Sequence, residues 1–134
     1  MFKNRIVLFL LTTLFFSCDS AVSLDKNKLI GKWERPDGGY IIEITKAIDD
    51  GSLECRYLNP NPINVSQAKW RIHEGELQIY VELRDVNYPG SVYSLTYDPE
   101  TDKLNGSYFQ AATGQTYAVE FVKKMSILSN NQDY

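Results

Sequence analysis

The chain is poor in the side chains on which most catalytic sites depend. Its single histidine, His73, shares an alternating polar face with Lys69 and Arg71, so the spacing offers no partner for a metal site or a general base. The sequence contains no serine elbow, no glycine-rich phosphate loop and no cysteine–histidine cluster. These absences argue against the common types of enzyme, and they predict no cofactor and no metal ion.

Paired carboxylates suited to hydrolysis are also missing. Glu43, Glu82 and Glu120 all fall on outward faces of the strands predicted below. The acidic residues at positions 98, 100 and 102 alternate and could hold a weakly bound cation. That segment lacks the glycine and the length of a calcium loop, and its proline favours a turn.

A basic surface is lacking as well. The 14 lysines and arginines are outnumbered by 17 aspartates and glutamates, which gives a net charge of −3. Two of the positive charges, Lys3 and Arg5, lie in a predicted leader, and their loss would lower the net charge to −5. An acidic domain without a basic stripe argues against nucleic acid as a partner, and against membrane binding through charge alone.

The apolar stretch at the start is too short to cross a membrane. Residues 6–16 form an apolar run of 11 residues, against the roughly 20 that a membrane-spanning helix needs. Lys3 and Arg5 precede this run, and Ser17 and Cys18 follow it. This order predicts a secretory signal peptide. A cysteine directly after the apolar run also resembles the lipobox of bacterial lipoproteins, in which the cysteine is lipidated and becomes the first mature residue.

The lipobox resemblance implies a membrane anchor. More than one acyl chain (palmitate or similar) on Cys18 would attach the domain stably to a membrane of the bacterial cell envelope, in the periplasm or at the cell surface. Asp19 also resembles an inner-membrane retention signal of enteric bacteria. The alternative is an ordinary signal peptide cleaved near Ser17 or Ser20. We therefore expect a signal peptide (1–17), a lipidated cysteine with a flexible tether (18–27), a folded domain (28–124) and a polar tail (125–134).

The second cysteine is left without a partner if Cys18 is lipidated. Cys55 alternates with Leu53 and Tyr57, so we expect it to be a small buried side chain of a strand. A reactive thiol would need a nearby cation to lower its pKa, and the adjacent Arg56 points to the opposite face.

Strand periodicity dominates the rest of the chain. Leu77, Ile79, Val81 and Leu83 alternate with polar residues, and similar patterns recur with turns between them. Eight strands are predicted, at 29–33, 40–46, 52–58, 67–73, 76–84, 91–97, 103–110 and 115–124. Short connections favour antiparallel neighbours, and closure removes exposed edges. The predicted fold is all-β, an antiparallel eight-stranded up-and-down meander β-barrel; an open meander or a small sandwich is the alternative.

The interior of this barrel is predicted to be filled. Eight strands leave room for side chains or for one small ligand. The inward-facing residues are mostly large, which favours a plugged interior over a deep pocket. The predicted inward set is Trp33, Ile42, Ile44, Tyr57, Trp70, Ile72, Leu77, Ile79, Val81, Leu83, Tyr93, Leu95, Leu104, Tyr108, Val119 and Phe121.

Successive connections of an up-and-down barrel lie at opposite ends, and here the two sets differ in composition. The odd connections, at 35–39, 59–66, 85–90 and 111–114, hold four of the five prolines and four of the five asparagines of the predicted folded domain. Binding residues concentrate in long loops on a rigid scaffold. We therefore expect a site at this end, although the same residues could serve only to build turns. The predicted site, here called the mouth, is Asn59, Asn61, Asn64, Arg84, Asp85, Asn87, Tyr88, Gln110 and Gln115.

Two short motifs resemble those of the calycin barrels, the lipocalin and avidin group. They are Gly31-Lys32-Trp33 before the first long strand and the segment 104–108 before the last strand. The resemblance implies an eight-stranded barrel with Trp33 packed across its base. Biotin binding of the avidin type uses several tryptophans, and only Trp33 and Trp70 occur here. The stretches 35–40, 59–65 and 83–90 also resemble small uncharacterised bacterial proteins, a likeness that implies no activity.

Three functions remain open at this point. The first is a non-catalytic, lipid-tethered and monomeric binding module for a small polar or amphipathic ligand. The second is a protein-interaction module, resembling the small periplasmic barrels that inhibit enzymes by inserting a loop. The third is an enzyme of unusual design. A concave polar floor at the mouth would favour the first function, and a rigid protruding 59–66 loop would favour the second.

Overall fold

A computed structural model of the protein describes residues 24–125. The predicted signal peptide, Cys18, the first part of the tether and the tail beyond Met125 lie outside the described residues. Asp25, Lys26 and Asn27, the last residues of the predicted tether, take part in a single 3-10 turn, Lys26–Leu29, which the Asp25 carboxylate caps by accepting from the backbone N–H of Asn27 at 2.9 Å. None of the described helical structure is long and apolar enough to span a membrane.

Nine antiparallel strands form one sheet that curls into a nearly closed barrel, so the predicted fold class is confirmed with one strand more than expected. Around the sheet the order is β4-β3-β2-β1-β9-β8-β7-β6-β5. The strands are β1 Gly31–Glu34, β2 Ile41–Ala47, β3 Leu53–Leu58, β4 Pro62–Ile63, β5 Val65–His73, β6 Glu76–Asp85, β7 Tyr88–Asp98, β8 Lys103–Gln110 and β9 Gln115–Lys124.

The additional strand helps to close the barrel. Strand β4 pairs with β3, and after Asn64 the same segment continues as β5 and pairs with β6. Midway along β5, Ser52 forms a bridge with Lys69, and the Trp70 backbone N–H donates to the Gly51 carbonyl at 2.8 Å. The sequence predicted an unpaired 59–66 loop because of its two prolines. Pro62 is tolerated because it is the first residue of its strand.

The second predicted long loop, at 85–90, is a tight hairpin. Strand β6 continues to Asp85 and β7 begins at Tyr88, so only Val86 and Asn87 form the turn. Asn87 adopts a φ of 67°, which asparagine tolerates better than most residues. The register then shifts at Gly90, whose φ is 98°, which marks a β-bulge. Pro89 and Gly90 therefore lie near the start of a paired strand, where the sequence predicted a loop.

The barrel interior is filled with side chains, as the sequence predicted. Thirteen of the sixteen predicted inward residues are buried, and Trp70 and Tyr108 pack against them in half-buried positions. Ile72 is the exception, at 51% exposed, because it lies near the end of the β5–β6 hairpin, where residues 71–76 are all exposed. The core also includes Leu29, Leu53 and Tyr97, which are missing from the predicted inward set although Leu53 alternates with Tyr57 and Tyr97 with Leu95.

The end that carries the even connections, at 47–51, 74–75 and 98–102, is here called the base, and it is closed around Trp33. The Trp33 indole N–H donates to the Leu29 carbonyl of the 3-10 turn at 2.8 Å. The Lys123 ammonium lies 4.8 Å from the indole ring centroid and donates to the Lys28 carbonyl at 2.8 Å. Leu24 packs against the core at the same end, beside the β5–β6 and β7–β8 turns. This arrangement is consistent with a calycin-like barrel.

Candidate functional site

The odd connections meet at the end of the barrel opposite Trp33. The 59–64 segment is tied to the β6–β7 hairpin, because the Asn64 backbone N–H donates to the Asp85 carboxylate at 2.8 Å and the Arg84 N–H donates to the Asn64 carbonyl at 3.1 Å. The Asn64 side-chain amide also donates to the Arg84 carbonyl at 3.1 Å. Asn64, Arg84 and Asp85 are therefore brought together, and their contacts fix the two segments to each other.

Tyr88 connects the rim of the mouth to the interior. Its hydroxyl accepts a hydrogen bond from the Asn59 side-chain amide at 2.6 Å. Its ring packs edge-on against Tyr57, with ring centroids 6.2 Å apart. Asn59 and Tyr88, both predicted from the sequence, are thus in direct contact, and behind them lies a larger aromatic group.

Below the rim lies a cluster of tyrosines that the sequence did not assign to the site. The Tyr57 and Tyr93 hydroxyls share a hydrogen bond of 3.0 Å, and Tyr93 stacks on Tyr108 with centroids 4.5 Å apart. All three tyrosines alternate with outward-facing residues and lie close to an odd connection, so the sequence contained a signal that they belong to the mouth. The periodicity placed these residues only in the core because it does not register the polar end of a tyrosine.

Arg35, which was not predicted as part of the site, completes this cluster. Its Nε and Nη2 atoms donate to the two Asp37 carboxylate oxygens at 2.9 and 2.6 Å, and its Nη1 donates to the Tyr93 hydroxyl at 3.3 Å. The guanidinium lies 4.6 Å from the Tyr40 ring centroid, and the side chain is only 11% exposed. An arginine followed two residues later by aspartate, at the start of an odd connection, was the available signal. Arg35 is a fixed positive charge at the floor of the mouth.

The remaining predicted mouth residues divide into two kinds. Gln110 and Gln115 are engaged within their own hairpin, by hydrogen bonds from the Thr113 and Tyr117 hydroxyls respectively. Asn61 and Asn87 are exposed, and among residues 24–125 no side-chain hydrogen bond engages them. The Arg84 guanidinium points to the outer face, where its Nε donates to Glu82 at 2.5 Å. Asn61 and Asn87 therefore offer free amide groups at the rim.

Burial and hydrogen bonding set the charge states at the mouth. Burial raises the pKa of Tyr93 to about 12, against the opposing effect of hydrogen bonds from Tyr57 and Arg35. Burial raises the pKa of Tyr57 further, helped by the nearby Tyr93. Burial alone would lower the pKa of Arg35, but hydrogen bonds to Asp37 and Tyr93 outweigh it and raise the pKa. At neutral pH the tyrosines are therefore neutral and Arg35 is charged.

The buried tyrosines predict a loss of stability at high pH. Tyrosines of the unfolded chain ionise near pH 10, roughly, whereas folded Tyr93 keeps its proton until about 12. The contribution of each buried tyrosine to the free energy of unfolding is therefore fully present below the pKa of the unfolded chain. This contribution is lost as the pH rises through the pKa of the folded state, by about 1.4 kcal/mol per pH unit for each buried tyrosine. Urea unfolding monitored across this pH range measures the slope. Tyr57→Phe should make the slope shallower, because it removes one of the buried titrating groups. Equal slopes for Tyr57→Phe and the wild type would contradict the burial argument.

The other candidates from the sequence lie away from the mouth. His73 is exposed on the β5–β6 hairpin at the base end. Burial raises the pKa of the half-buried Cys55 thiol to about 12, which keeps it protonated at neutral pH. The acidic alternation after β7 is a turn, in which the Asp98 carboxylate accepts from the Glu100 N–H at 2.9 Å and the Thr101 hydroxyl at 2.7 Å. The preference for a turn over a cation loop matches this geometry.

Three concavities lie on the described domain, and one of them is beside the mouth. The largest of the three has a volume of about 1030 Å³ and runs beside β5, β6 and β7. A second, of about 530 Å³, is lined by Pro36 and Asp37 of an odd connection and by residues 118–120 of β9, and a third, of about 340 Å³, lies between Leu24 and the base turns. Because the interior is filled with side chains, a ligand at the mouth would bind to its surface and would not enter a deep lumen.

Comparisons of this chain with protein-family models, with curated proteins and with solved structures found no match.

Proposed function

We propose that this protein is a non-catalytic binding module, held at a membrane of the bacterial cell envelope by a lipid on Cys18, with its binding site at the mouth of the barrel. The anchor is inferred from the charged start, the apolar run and the cysteine that follows it. The binding role is inferred from the chemistry of the mouth. As a module of this size with a closed core, it would act as a monomer.

The observation that carries the binding role is the difference between the two ends of the barrel. The base is sealed by Trp33, Leu29 and Leu77, all fully buried. The mouth is filled by tyrosine hydroxyls, asparagine amides and the largely covered side chain of Arg35. Apolar side chains would fill that space without desolvating polar groups, whereas the covered hydroxyls of Tyr57 and Tyr93 and the guanidinium of Arg35 carry that cost. Natural proteins depart from simple apolar packing mainly at functional sites, so the polar groups of the mouth support a binding role there.

The charge states at the mouth support binding over catalysis. A general acid or base works best with a pKa near the operating pH, and a nucleophile needs a lowered pKa or an adjacent base. The pKa values of Tyr57 and Tyr93 are both raised away from neutrality. The one perturbed cation near them, Arg35, is shifted further from titration. These groups can donate and accept hydrogen bonds but are not poised for proton transfer.

The ligand that fits best is small, polar and bound to the surface of the mouth. The Tyr88 and Tyr108 rings offer flat faces with hydroxyl groups at their edges, which suits ligands with both apolar and polar parts. The free amides of Asn61 and Asn87 add donors and acceptors at the rim.

A protein partner is the second candidate, and one observation favours it. Val86, at the tip of the β6–β7 hairpin, is 80% exposed beside the free amide of Asn87. The hairpin is fixed to the 59–64 segment through Asn64, so little ordering would be needed on binding. A rigid tip with an apolar end suits insertion into a cleft of another protein.

Native mass spectrometry of the full chain, purified from its own host in mild detergent, tests both candidates. A small mass that copurifies supports the ligand-binding role, and a stoichiometric protein supports the partner role. The mass of the chain itself reports whether Cys18 carries acyl groups. We expect Tyr88→Phe with Tyr108→Phe to lower small-ligand occupancy about tenfold, because two hydroxyls are lost while both rings remain.

A double substitution at the rim of the mouth distinguishes a small ligand from a protein partner. Asn61→Ala with Asn87→Gly removes the free amides, and glycine keeps the backbone conformation of residue 87. This variant should release a bound protein while affecting a small ligand less. Glu74→Gln, on the opposite hairpin, is the matched control. A chain that copurifies with neither kind of mass, and whose cysteine is unmodified, would refute the proposal.

A further inference from the structure

A second surface with the properties of a binding site lies on the outside of the barrel, away from the mouth. It is the concavity of about 1030 Å³ beside β5, β6 and β7, bounded by the β2–β3 turn at residues 50–52. Volumes of this size hold drug-sized ligands. We call this surface the outer groove. The outward side chains that line it form two rows across the strands, Lys69–Tyr80–Ser94 and Arg71–Gln78–Thr96.

Arg71 is held in place but is not neutralised. Its Nε donates to the Gln78 side-chain oxygen at 2.9 Å, and Gln78 in turn donates to Glu76 at 3.4 Å. Among residues 24–125 the Nη1 and Nη2 atoms of Arg71 have no hydrogen-bond partner. The guanidinium therefore presents two donors in a fixed orientation, which is the geometry that binds a carboxylate or phosphate with two hydrogen bonds.

The arginines elsewhere in the described domain are paired. Arg35, Arg56 and Arg84 each lie within 4.0 Å of a carboxylate oxygen, whereas for Arg71 no described carboxylate lies that close. Lys69, two positions before it on the same face, likewise has no carboxylate within that distance in residues 24–125. Two neighbouring cations without carboxylates at short range form a local positive site for an anion.

The rest of the outer groove is polar and partly aromatic, and it includes one carboxylate, that of Asp50, which accepts hydrogen bonds from the Ser52 backbone N–H and hydroxyl. The hydroxyls of Ser94 and Thr96 point outward from β7, and no hydrogen bond to them is found within the described part of the chain. The Tyr80 ring lies between Lys69 and Ser94, and its hydroxyl donates to Glu82 at 3.1 Å, which holds the ring in place. Free hydroxyls around a fixed ring match a ligand rich in hydroxyl groups with one apolar face.

We propose that the outer groove binds an anionic carbohydrate, such as a uronic acid oligosaccharide or a sugar phosphate. Its carboxylate or phosphate lies between Arg71 and Lys69, its hydroxyls bond to Ser94 and Thr96, and a sugar ring packs on Tyr80. This site is independent of the mouth, so the failure of one proposal leaves the other standing.

Isothermal titration calorimetry of the purified protein tests this proposal. The probes are trigalacturonic acid, glucose phosphate, neutral maltotriose and inorganic phosphate. We expect at least one acidic sugar to bind, with affinity falling as salt is added, and maltotriose to bind at least about tenfold more weakly. The acidic sugar that binds more tightly identifies whether the anion is a carboxylate or a phosphate.

Substitutions test whether the acidic sugar binds in the outer groove or on another surface of the barrel. Arg71→Gln should lower the affinity for the acidic sugar about tenfold or more, because the charge-assisted pair is lost. Arg56→Gln removes an exposed arginine on β3, outside the groove, and should leave the affinity unchanged, as should Asn61→Ala at the mouth. The proposal is overturned if neither acidic sugar binds, if maltotriose binds equally well, or if Arg56→Gln weakens binding as much as Arg71→Gln. Inorganic phosphate binding as tightly as glucose phosphate would also overturn it, because the hydroxyls would then contribute nothing.

Discussion

Replacement of Gly106 by alanine is expected to destabilise the barrel by about 3 kcal/mol or more. Gly106 lies on β8 opposite Leu95, and a Cβ atom there would lie 2.0 Å from the Ser94 carbonyl oxygen and 2.9 Å from the Leu95 Cα. Both obstacles are backbone atoms of β7, so no side chain can rotate away and the two strands must separate. For a domain of this size the melting temperature should fall by roughly 12–24 °C.

Thermal unfolding monitored by circular dichroism measures this effect, and Gly75→Ala is its control. Gly75 forms the β5–β6 turn with a φ of 75°, and an added Cβ there would meet nothing within 4 Å. Alanine at that position should lower the free energy of unfolding only by the cost of the left-handed backbone conformation, about 1–2 kcal/mol. If Gly106→Ala were no more harmful than Gly75→Ala, the close approach of β7 and β8 would be wrong.

Replacement of Trp33 by alanine is the second change with a large expected effect, a loss of about 3–5 kcal/mol. The ring is fully buried at the base and packs edge-on against Tyr97, with centroids 6.2 Å apart. The variant creates a cavity, leaves the Leu29 carbonyl without its indole donor, and removes the aromatic face beneath the Lys123 ammonium. These three losses act on one contact region and are not additive.

Urea unfolding of Trp33→Ala and Trp70→Ala compares the two tryptophans of the chain. Trp70 is only half-buried, and its indole N–H donates to the Ile48 carbonyl at 2.7 Å. Its replacement should cost less, about 2 kcal/mol. Trp33→Phe should recover part of the loss, because a ring remains while the hydrogen bond does not. Similar losses at both tryptophans would show that Trp33 does not organise the base.

The periodicity of the sequence was sufficient for the barrel and for most of its core. Leu77, Ile79, Val81 and Leu83 are buried, as their alternation with polar residues indicates. The errors lie where a strand contains proline or glycine. Pro62 and Gly90 were taken for loop residues, yet one begins a strand and the other forms a bulge. Local propensity cannot reveal such pairing, because the partner strand that stabilises it is distant in sequence.

The mouth was only partly predictable for a different reason. Parity of the connections was sufficient to bring Asn59, Tyr88 and Asn64 to one end. It also brings Arg35 and the strand ends that carry Tyr57 and Tyr93 to that end. It could not reveal the Arg35–Tyr93 and Tyr57–Tyr93 hydrogen bonds, because residues distant in sequence become neighbours only once the barrel curls. The outer groove was out of reach for the same reason, since the two rows that line it require the register of three strands.

The position of Leu24 has a geometric consequence for a protein tethered by its first mature residue. Leu24 packs at the base, and six peptide units separate it from Cys18, a span of roughly 20 Å at full extension. If Cys18 carries the proposed lipid, so short a tether would hold the base of the barrel close to the lipid headgroups. The mouth, at the opposite end, would then face the aqueous compartment. A binding partner would then approach from solution, and a lipid from the host bilayer could not easily reach the tyrosines.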